Sequence, residues 1–305
     1  MTLLAKALQA QPLEWGSSRR RWRTVFLYLG RNHSLGVGLL LLLSLLALVV
    51  GGHVFYDIGL AEPLTSAPSR PPSARYWLGT DKHGRDLFAV LIVGTFLTCK
   101  VGLLAGFIGV VIGTVLGFLA GFFRGWTDAV INLVTDVFLA VPPLLILVVI
   151  AANIQAHLTT DAMVWIIAAL SWREPARRIR SQVLVMREAG YVNTARLNGT
   201  SSFGIIFKEM MPNLIPYLMV SFVLATAAAM LASVGLEALG LGPQNEPTLG
   251  MTIYWAIYYS AFLLGMWWWV LTPVITLVVL FVGLYLVTTG LDELANPRLR
   301  TKGAG

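Results

Sequence analysis

Residues Arg187 to Asn213 read REAGYVNTARLNGTSSFGIIFKEMMPN. This is the longest polar run set inside a chain built otherwise of apolar blocks. Hydrophobic residues make up 57% of the 305 positions and charged residues only 12%, with a mean hydropathy of +0.75. An ordinary soluble domain carries roughly 25% charged residues. One core cannot hide so much apolar surface, so lipid is the solvent for much of the chain. The quoted stretch is then what a bundle of membrane helices shows to water. Within it, Tyr191 to Leu197 predicts a short helix broken at Gly199. Thr200, Ser201 and Ser202 offer N-cap hydroxyls for a second short helix, Ser202 to Met211. Pro212 is expected to end that helix and open the next span. Helix, glycine turn, helix and proline make a rigid knuckle. Ala195 and Gly199 are small enough to let another protein approach. Ile205, Ile206, Met210 and Met211 are expected to pack under the membrane or in a partner's groove. On the residues alone, an amphipathic loop between spans is an equal reading.

Outward from this stretch, a spanning helix needs about 20 apolar residues. Six blocks offer them: Leu35–Phe55, Leu87–Phe123, Ala129–Asn153, Asp161 to past Trp172, Leu214–Leu236 and Trp267–Leu286. The second block is too long for one upright span, so it tilts or begins outside the bilayer. Its glycines (Gly102, Gly106, Gly109, Gly113, Gly117, Gly121) recur mostly every fourth residue, which lines one face for close helix approach. Pro142-Pro143 breaks the third block. The fourth leaves the bilayer as a basic helix with Arg173, Arg177, Arg178 and Arg180. Between the first two spans lies a proline-rich loop, Asp57–Asp86, ending in LGTDKHGRDLF. Gly240–Thr252 reads as a loop and Tyr254–Phe262 as a short surface helix. Trp267-Trp268-Trp269 reads as an interfacial aromatic anchor.

The net charge of +7 does not point to nucleic acid, because the basic residues sit in the gaps between apolar runs. The arm with Arg19, Arg20, Arg21, Arg23 and Arg31, the turn at Arg124, the Arg173–Pro212 segment and the tail hold the unbalanced bases. The Asp57–Asp86 loop sets Arg70, Arg75, Lys82 and Arg85 against four carboxylates. The positive-inside rule therefore places both termini and the knuckle in the cytoplasm. The expected layout is a cytoplasmic arm over 1–34, a membrane domain over 35–290 with an external loop at 57–86 and the cytoplasmic segment at 187–213, and a cytoplasmic tail over 291–305. The arm resembles a signal peptide only superficially, since the apolar run is too long and begins too late.

Few residues invite chemistry. Cys99 stands alone among apolar neighbours and reads as a buried membrane thiol. His33, His53, His83 and His157 lack metal-ligand spacing, no nucleophile motif appears, and there is no P-loop. No catalytic residue and no metal site are therefore assigned. Asp128 and Asp136 open the third span, and Asp136 reads as an interfacial carboxylate paired with a base. Lys100 either snorkels to the outer interface or faces a polar path.

The run Tyr191–Asn213 resembles the coupling segment of ABC importer permeases. Ala195, Gly199 and Pro212 keep that pattern's spacing, while Asn193-Thr194 stand where it has Glu-Ala. G79-T-D-K-H-G-R-D86 resembles the signature of the second permease of dipeptide, oligopeptide and nickel importers. D136-V-F-L-A-V-P-P143, S171-W-R-E-P-A-R177, A238-L-G-L-G242 and N296-P-R-L-R300 resemble the same subfamily, and the likeness runs from about Tyr76 to Arg300. The chain departs from the pattern at Ala89-Val90, where a Ser-Arg pair is usual, and at Phe96, where an arginine is usual.

The resemblance implies an all-α polytopic membrane subunit with the six-helix type I importer fold. It implies a sister permease, two cytoplasmic ATPases and an external substrate-binding protein. ATP and magnesium would sit on the ATPases, with no cofactor on this chain, in a bacterial or archaeal cytoplasmic membrane. ATPase contact falls to Tyr191, Ala195, Arg196, Gly199, Thr200, Ser201, Ser202, Phe203 and Pro212. Gly79, Thr80, Asp81, Gly84, Arg85 and Asp86 form the signature loop, and Lys100, Asp136 and Pro142 are path or packing positions. The expected cargo is a small peptide or related solute. A nickel or other small-solute permease of the same family is the alternative, and a secondary transporter fits less well because few charges lie in the spans.

Overall fold

A computed structural model describes residues 32–154 and 158–295. The N-terminal arm through Arg31, His157 and the N296–R300 ending lie outside the described residues. Among the described residues the chain is helical, and its β structure is an isolated antiparallel bridge between Thr80 and Asp86. The all-α membrane architecture read from the sequence is the one found.

Helix α1 (His33–Phe55) starts at Asn32, whose side chain accepts from the Leu35 N–H. The Asn32 amide also donates to the Gly290 carbonyl at 3.2 Å and to Glu293 at 2.8 Å. It thereby ties α1 to the end of the last helix, α11 (Trp267–Ala295). Helix α2 (Leu87–Phe118) runs on through a π turn, Leu119–Phe123. Helices α3 (Gly125–Ala140) and α4 (Pro143–Ile154) follow, bent by 76°. Then come α5 (Thr160–Ser171), α6 (Arg173–Met186) and α7 (Gly190–Leu197). A short α8 (Ser202–Gly204), a π turn (Ile205–Met210) and α9 (Met211–Ala238) form one continuous rod. Helix α10 (Leu249–Tyr258) precedes α11.

Among the described residues, four helices are long and apolar enough to cross a membrane: His33–Phe55, Leu87–Phe123, Ser202–Ala238 and Trp267–Glu293. The bent pair α3–α4 is a fifth candidate, as a broken span or a re-entrant loop. The block expected from Asp161 is shorter than read from the sequence. Helix α5 has 12 residues and continues through Trp172, in helical conformation, into the basic α6. Three other boundaries also move. The loop expected to Thr252 ends sooner, because the Thr248 side chain caps α10 from the Met251 N–H. The short surface helix is thus Leu249–Tyr258 and not Tyr254–Phe262. The last span runs past Leu286 to Ala295, so the expected tail begins helical.

The α3–α4 break shows how the bundle tolerates a freed backbone. Pro142 and Pro143 supply no N–H donors, and Val141 is extended, as the residue before proline prefers. The Phe138 carbonyl then lacks a helical partner. Arg173, only 7% exposed, supplies one. Its Nη1 donates to Phe138 at 2.8 Å and its Nε to Leu170 at 2.6 Å. A guanidinium with no chain carbonyls to bind would be costly to bury here.

Helix α2 is central, packing against α9, α6 and α5. The glycine face read from the sequence is the contact surface, and it serves two partners. A Cβ at Gly106 would lie 2.8 Å from the Thr226 backbone of α9, and one at Gly102 would strike Met230. Gly109, Gly113, Gly117 and Gly121 meet Ser171, Pro175–Ala176, the Ala176–Arg180 backbone and Val183 in turn. This exclusion of side chains lets backbones pack closely where lipid offers no hydrophobic drive between helices. Overpacking such a seam costs about 1–3 kcal/mol. Gly106→Val is therefore expected to lower the apparent Tm of the detergent-purified protein by several degrees, whereas Gly51→Ala, whose Cβ would meet nothing within 4 Å, leaves it unchanged. Equal melting of the two variants would refute this assignment of the seam.

Candidate functional site

The knuckle forms at the end of the bundle that carries Arg124, Arg177, Arg178 and Arg180. Helix α7 closes with paired bonds: Thr200 N–H donates to the Ala195 carbonyl and Gly199 N–H to the Arg196 carbonyl, each at 3.0 Å. This is the Schellman arrangement, which needs a left-handed residue at the turn, and Gly199 has φ +74°. The spacing of Ala195 and Gly199 thus follows from helix termination. Of the three expected hydroxyl caps, Ser201 performs the role, accepting from the Gly204 N–H at 3.2 Å.

Pro212 does not end the second helix, contrary to the expectation from the sequence. The Met211 N–H closes the π turn on the Ile206 carbonyl. The wider turn just ahead of Pro212 makes room for a ring that would crowd the Lys208 carbonyl in a regular helix. The apolar residues are also reassigned. Ile205, Ile206 and Met210 are buried in the chain's own core with Phe118, Phe122, Ile179, Val183 and Val192. Ala195 is part of that core too, so its small side chain serves internal packing. The exposed apolar residues are Leu197, Phe203 and Phe207, at 89%, 65% and 62%.

Three contacts fix the knuckle to α2. Arg187 Nη1 donates to the Phe122 carbonyl at 2.9 Å, the Arg196 guanidinium lies 5.8 Å from the Phe122 ring centre, and Phe203 meets Phe123 edge-on. Tyr191 reaches Asn213, joining the two ends of the segment; burial raises its phenol above the ordinary value despite that hydrogen bond. Asn193 and Thr194 are exposed. Beside the knuckle, Asp128 accepts from Arg180 Nε and Nη2 at 2.6 and 2.8 Å. Asp136 pairs with Arg177, the interfacial partnership expected of it. Pro142 is exposed at the α3–α4 bend.

At the opposite end stands the GTDKHGRD loop, and its residues are structural. Asp81 accepts from the Arg85 N–H at 2.9 Å and Nε at 2.6 Å. Thr80 donates to the Ala67 carbonyl at 2.6 Å and accepts from the Arg70 N–H at 2.8 Å. Asp86 caps α2 through the Phe88 N–H and receives the Tyr56 hydroxyl at 3.0 Å. Burial first, then Asp86, pushes the Tyr56 phenol up to about 12. Gly84 has φ +69°, and a Cβ there would lie 2.5 Å from the Ser66 carbonyl. Gly79, with φ +76°, fits against Trp268, whose Nε1 donates to the Thr80 carbonyl at 3.2 Å. The tryptophan run is therefore no simple interfacial anchor. Trp269 is fully buried, Trp268 docks the loop, and Trp267 is exposed. His83 packs edge-on to Trp255 and Tyr259.

Two carboxylates that the sequence did not single out organise this end. Glu237, fully buried, accepts from Ser233 and Thr248 hydroxyls at 2.6 Å each and from the Gly250 and Met251 N–H groups. Its carboxyl lies at the start of α10, among the donors of that helix's first turn. Gly242 and Gly250 leave room for it. Glu246 caps α5 through the Thr160 N–H and hydroxyl. Lys100 pairs with Asp161 in the first turn of α5 at 2.6 Å, which places it by the loops at this end.

The comparisons with known proteins agree in one direction. Residues 113–301 match the family described as binding-protein-dependent transport system inner membrane component. The chain is similar to the dipeptide transport system permease protein DppC of Alkalihalophilus pseudofirmus, 29% identical over 92% of this chain and 91% of that protein. It is 30% identical to the oligopeptide transport system permease protein OppC of Mycobacterium tuberculosis, over 77% and 80%. In fold it is similar to a chain of the MetNI methionine ABC transporter solved in inward-facing conformations. The TM-score there is 0.55 at 20% identity, covering 68% of this chain and 94% of that one.

The Asp81 carboxyl titrates below its ordinary 3.8: burial raises it, but His83 and Arg85 more than offset that. A lowered folded-state value stabilises the fold fully above about 3.8 and loses that contribution as pH falls through the lower value. Removing one partner of a buried pair costs about 3–5 kcal/mol. Asp81→Asn is expected to melt well below the wild type at pH 7, and the gap to narrow in acid below the ordinary aspartate range. A gap independent of pH would overturn the ionic reading.

Proposed function

The chain belongs to the binding-protein-dependent transport system inner membrane component family, and from that footing we propose the following division of labour. It is the permease subunit of an ATP-driven importer, a multi-pass protein of a bacterial inner membrane working with ATPase and substrate-binding partners. A sister permease completes the path, and small peptides are the cargo, the reading supported by the peptide-permease names of its relatives. Both termini and the knuckle face the cytoplasm, as the basic residues favour. Two ATPases hold ATP and magnesium, and this chain performs no hydrolysis. The signature loop faces outward to the binding protein.

One observation carries the coupling role: an exposed apolar set, Leu197, Phe203 and Phe207, on a knuckle whose inner face is core shared with α2, α6 and α9. A surface of this kind fits a cleft, and its rigidity passes a push into the bundle. Helix α6 enters the knuckle and the α8–α9 rod leaves it, so ATPase closure moves both together. Arg187 and Arg196 carry the same push to the end of α2. Alternating access follows as rigid-body rocking. Gly199 contributes its φ and an open flank, since a Cβ there would meet nothing within 4 Å.

Leu197→Asp and Phe203→Asp each remove an apolar contact of a size that costs about 2 kcal/mol at an interface hot spot, about thirtyfold in affinity. The expected outcome is normal insertion, weak retention of the ATPases on purification and lost peptide uptake. Gly199→Trp strains the turn and fills the flank, so ATP hydrolysis should persist without uptake. Wild-type uptake in all three variants would sink the assignment.

A further inference from the structure

A pocket of about 300 Å³ opens at the end of the bundle opposite the knuckle, between the Asp57–Asp86 loop and the turn that joins α9 to α10. The loop brings Glu62, His83 and Arg85 to it, and the turn brings Gln244 and Asn245. Pro63, Pro247 and Trp255 add apolar wall. The lining comes from loops and from the short helix α10, and from none of the spans. Glu62 and Asn245 on its wall are exposed, so the pocket is open to water.

Arg85 is the telling member. It is only 6% exposed. Its backbone N–H and its Nε both go to Asp81. Its Nη2 lies 3.5 Å from His83 Nδ1, at the limit of a hydrogen bond. Its Nη1 has no acceptor among the described residues and is not sealed from solvent, so one edge of the guanidinium stays free in the pocket that Arg85 lines. Asp81, wholly buried, already balances the charge of Arg85. An anion is therefore drawn by aimed donors and not by a long-range field. Glu62 carries no ion pair among the described residues, although it shares the pocket with Arg85. Two opposite charges thus line one cavity without meeting. Gln244 donates its amide to the Gly240 carbonyl at 2.8 Å, which leaves its Oε1 as an open acceptor.

We propose that this pocket is an entry site that holds a short peptide by both of its ends. The C-terminal carboxylate takes the free edge of Arg85, a planar fork suited to a carboxylate. The N-terminal ammonium takes Glu62. Gln244 and Asn245 offer amide groups to the peptide bond between them, and Trp255 with the two prolines gives side chains an apolar wall. Charged ends around an apolar middle match a zwitterion of two or three residues, and the volume is that of a small-ligand pocket. A bare carboxylate, whether a free acid or a side chain of a docked protein, would be opposed by Glu62, whereas a peptide brings its own cation. The site rests on the reading that small peptides are the cargo, and it gives that cargo a place on this chain.

The test uses the importer assembled with its partner subunits in nanodiscs, without ATP and without the binding protein. Saturation-transfer NMR reads the binding of alanylphenylalanine, its C-terminal amide and its N-acetyl form. The free dipeptide is expected to bind about tenfold more tightly than either blocked form, the equivalent of one lost charged hydrogen bond. The amide probes the Arg85 contact without disturbing the loop that Arg85 holds together. E62Q should bind the free and N-acetyl forms equally while still rejecting the amide, a pattern that loss of folding does not produce. N245W, at an exposed position on the rim, should fill the pocket and abolish binding with subunit composition unchanged. Equal binding of the three ligands, full rejection of the N-acetyl form by E62Q, or undiminished binding in N245W would overturn the proposal. Cellular uptake of the same dipeptide reports on the cargo separately. Uptake by an importer that shows no binding in nanodiscs would overturn the pocket, and binding without uptake would overturn the cargo reading while upholding a peptide site.

Discussion

The structure depends on one constraint: the glycine face of α2 must stay bare. Between helices in lipid, association rests on close packing, because lipid tails are as apolar as leucine. Six glycines over Gly102–Gly121 put α9 on one part of that face and α5–α6 on the next. The remaining helices are referred to this core, α1 through the Gly38 and Gly290 contacts with α11. An added methyl group at Gly106, Gly109, Gly113 or Gly117 would press on a neighbouring backbone, whereas at Gly102 it meets the Met230 side chain.

Around this seam the buried side chains of Arg173, Glu237 and Asp81 follow one rule: each is met by hydrogen-bond partners. Arg173 satisfies a carbonyl freed by the Pro142-Pro143 break. Glu237 is held by four donors with no cation beside it, and Asp81 by Arg85. These are costly arrangements whose value lies in geometry, since a half-satisfied network would be worse than an apolar one. Each joins elements remote in sequence or fixes a loop to a span. The two ends of the bundle are therefore rigid for different reasons. One is a self-bonded loop docked on Trp268, and the other is a short helical knuckle clamped to the end of α2.

Much of the fold was legible in composition and spacing. The apolar blocks, the glycine face, the paired-proline break and the helix–glycine–helix knuckle all follow from backbone chemistry that acts locally. Legibility failed where a nonlocal partner decides. Pro212 looks like a stop, yet a π turn carries the helix through it. Ile205, Ile206 and Met210 look available to a partner, yet Phe118 and Phe122 of α2 claim them. The WWW run looks like one anchor, yet its three rings occupy buried, docking and exposed positions in turn, because successive residues on a helix point in different directions.

The sequence by itself determined that this is a helical membrane protein, that its third apolar block breaks at Pro142-Pro143, and that a helix–glycine–helix knuckle lies between two apolar blocks. Those properties come from local sterics and from the cost of exposing apolar surface. Only the tertiary structure decided which side of the knuckle is core and which is surface. It also revealed Glu237 and Glu246 as the organisers of the opposite end, and set Lys100 beside Asp161. Those facts depend on residues remote in sequence meeting in space, as Thr160 and Glu246 do across 86 positions, and a linear pattern carries no record of such meetings.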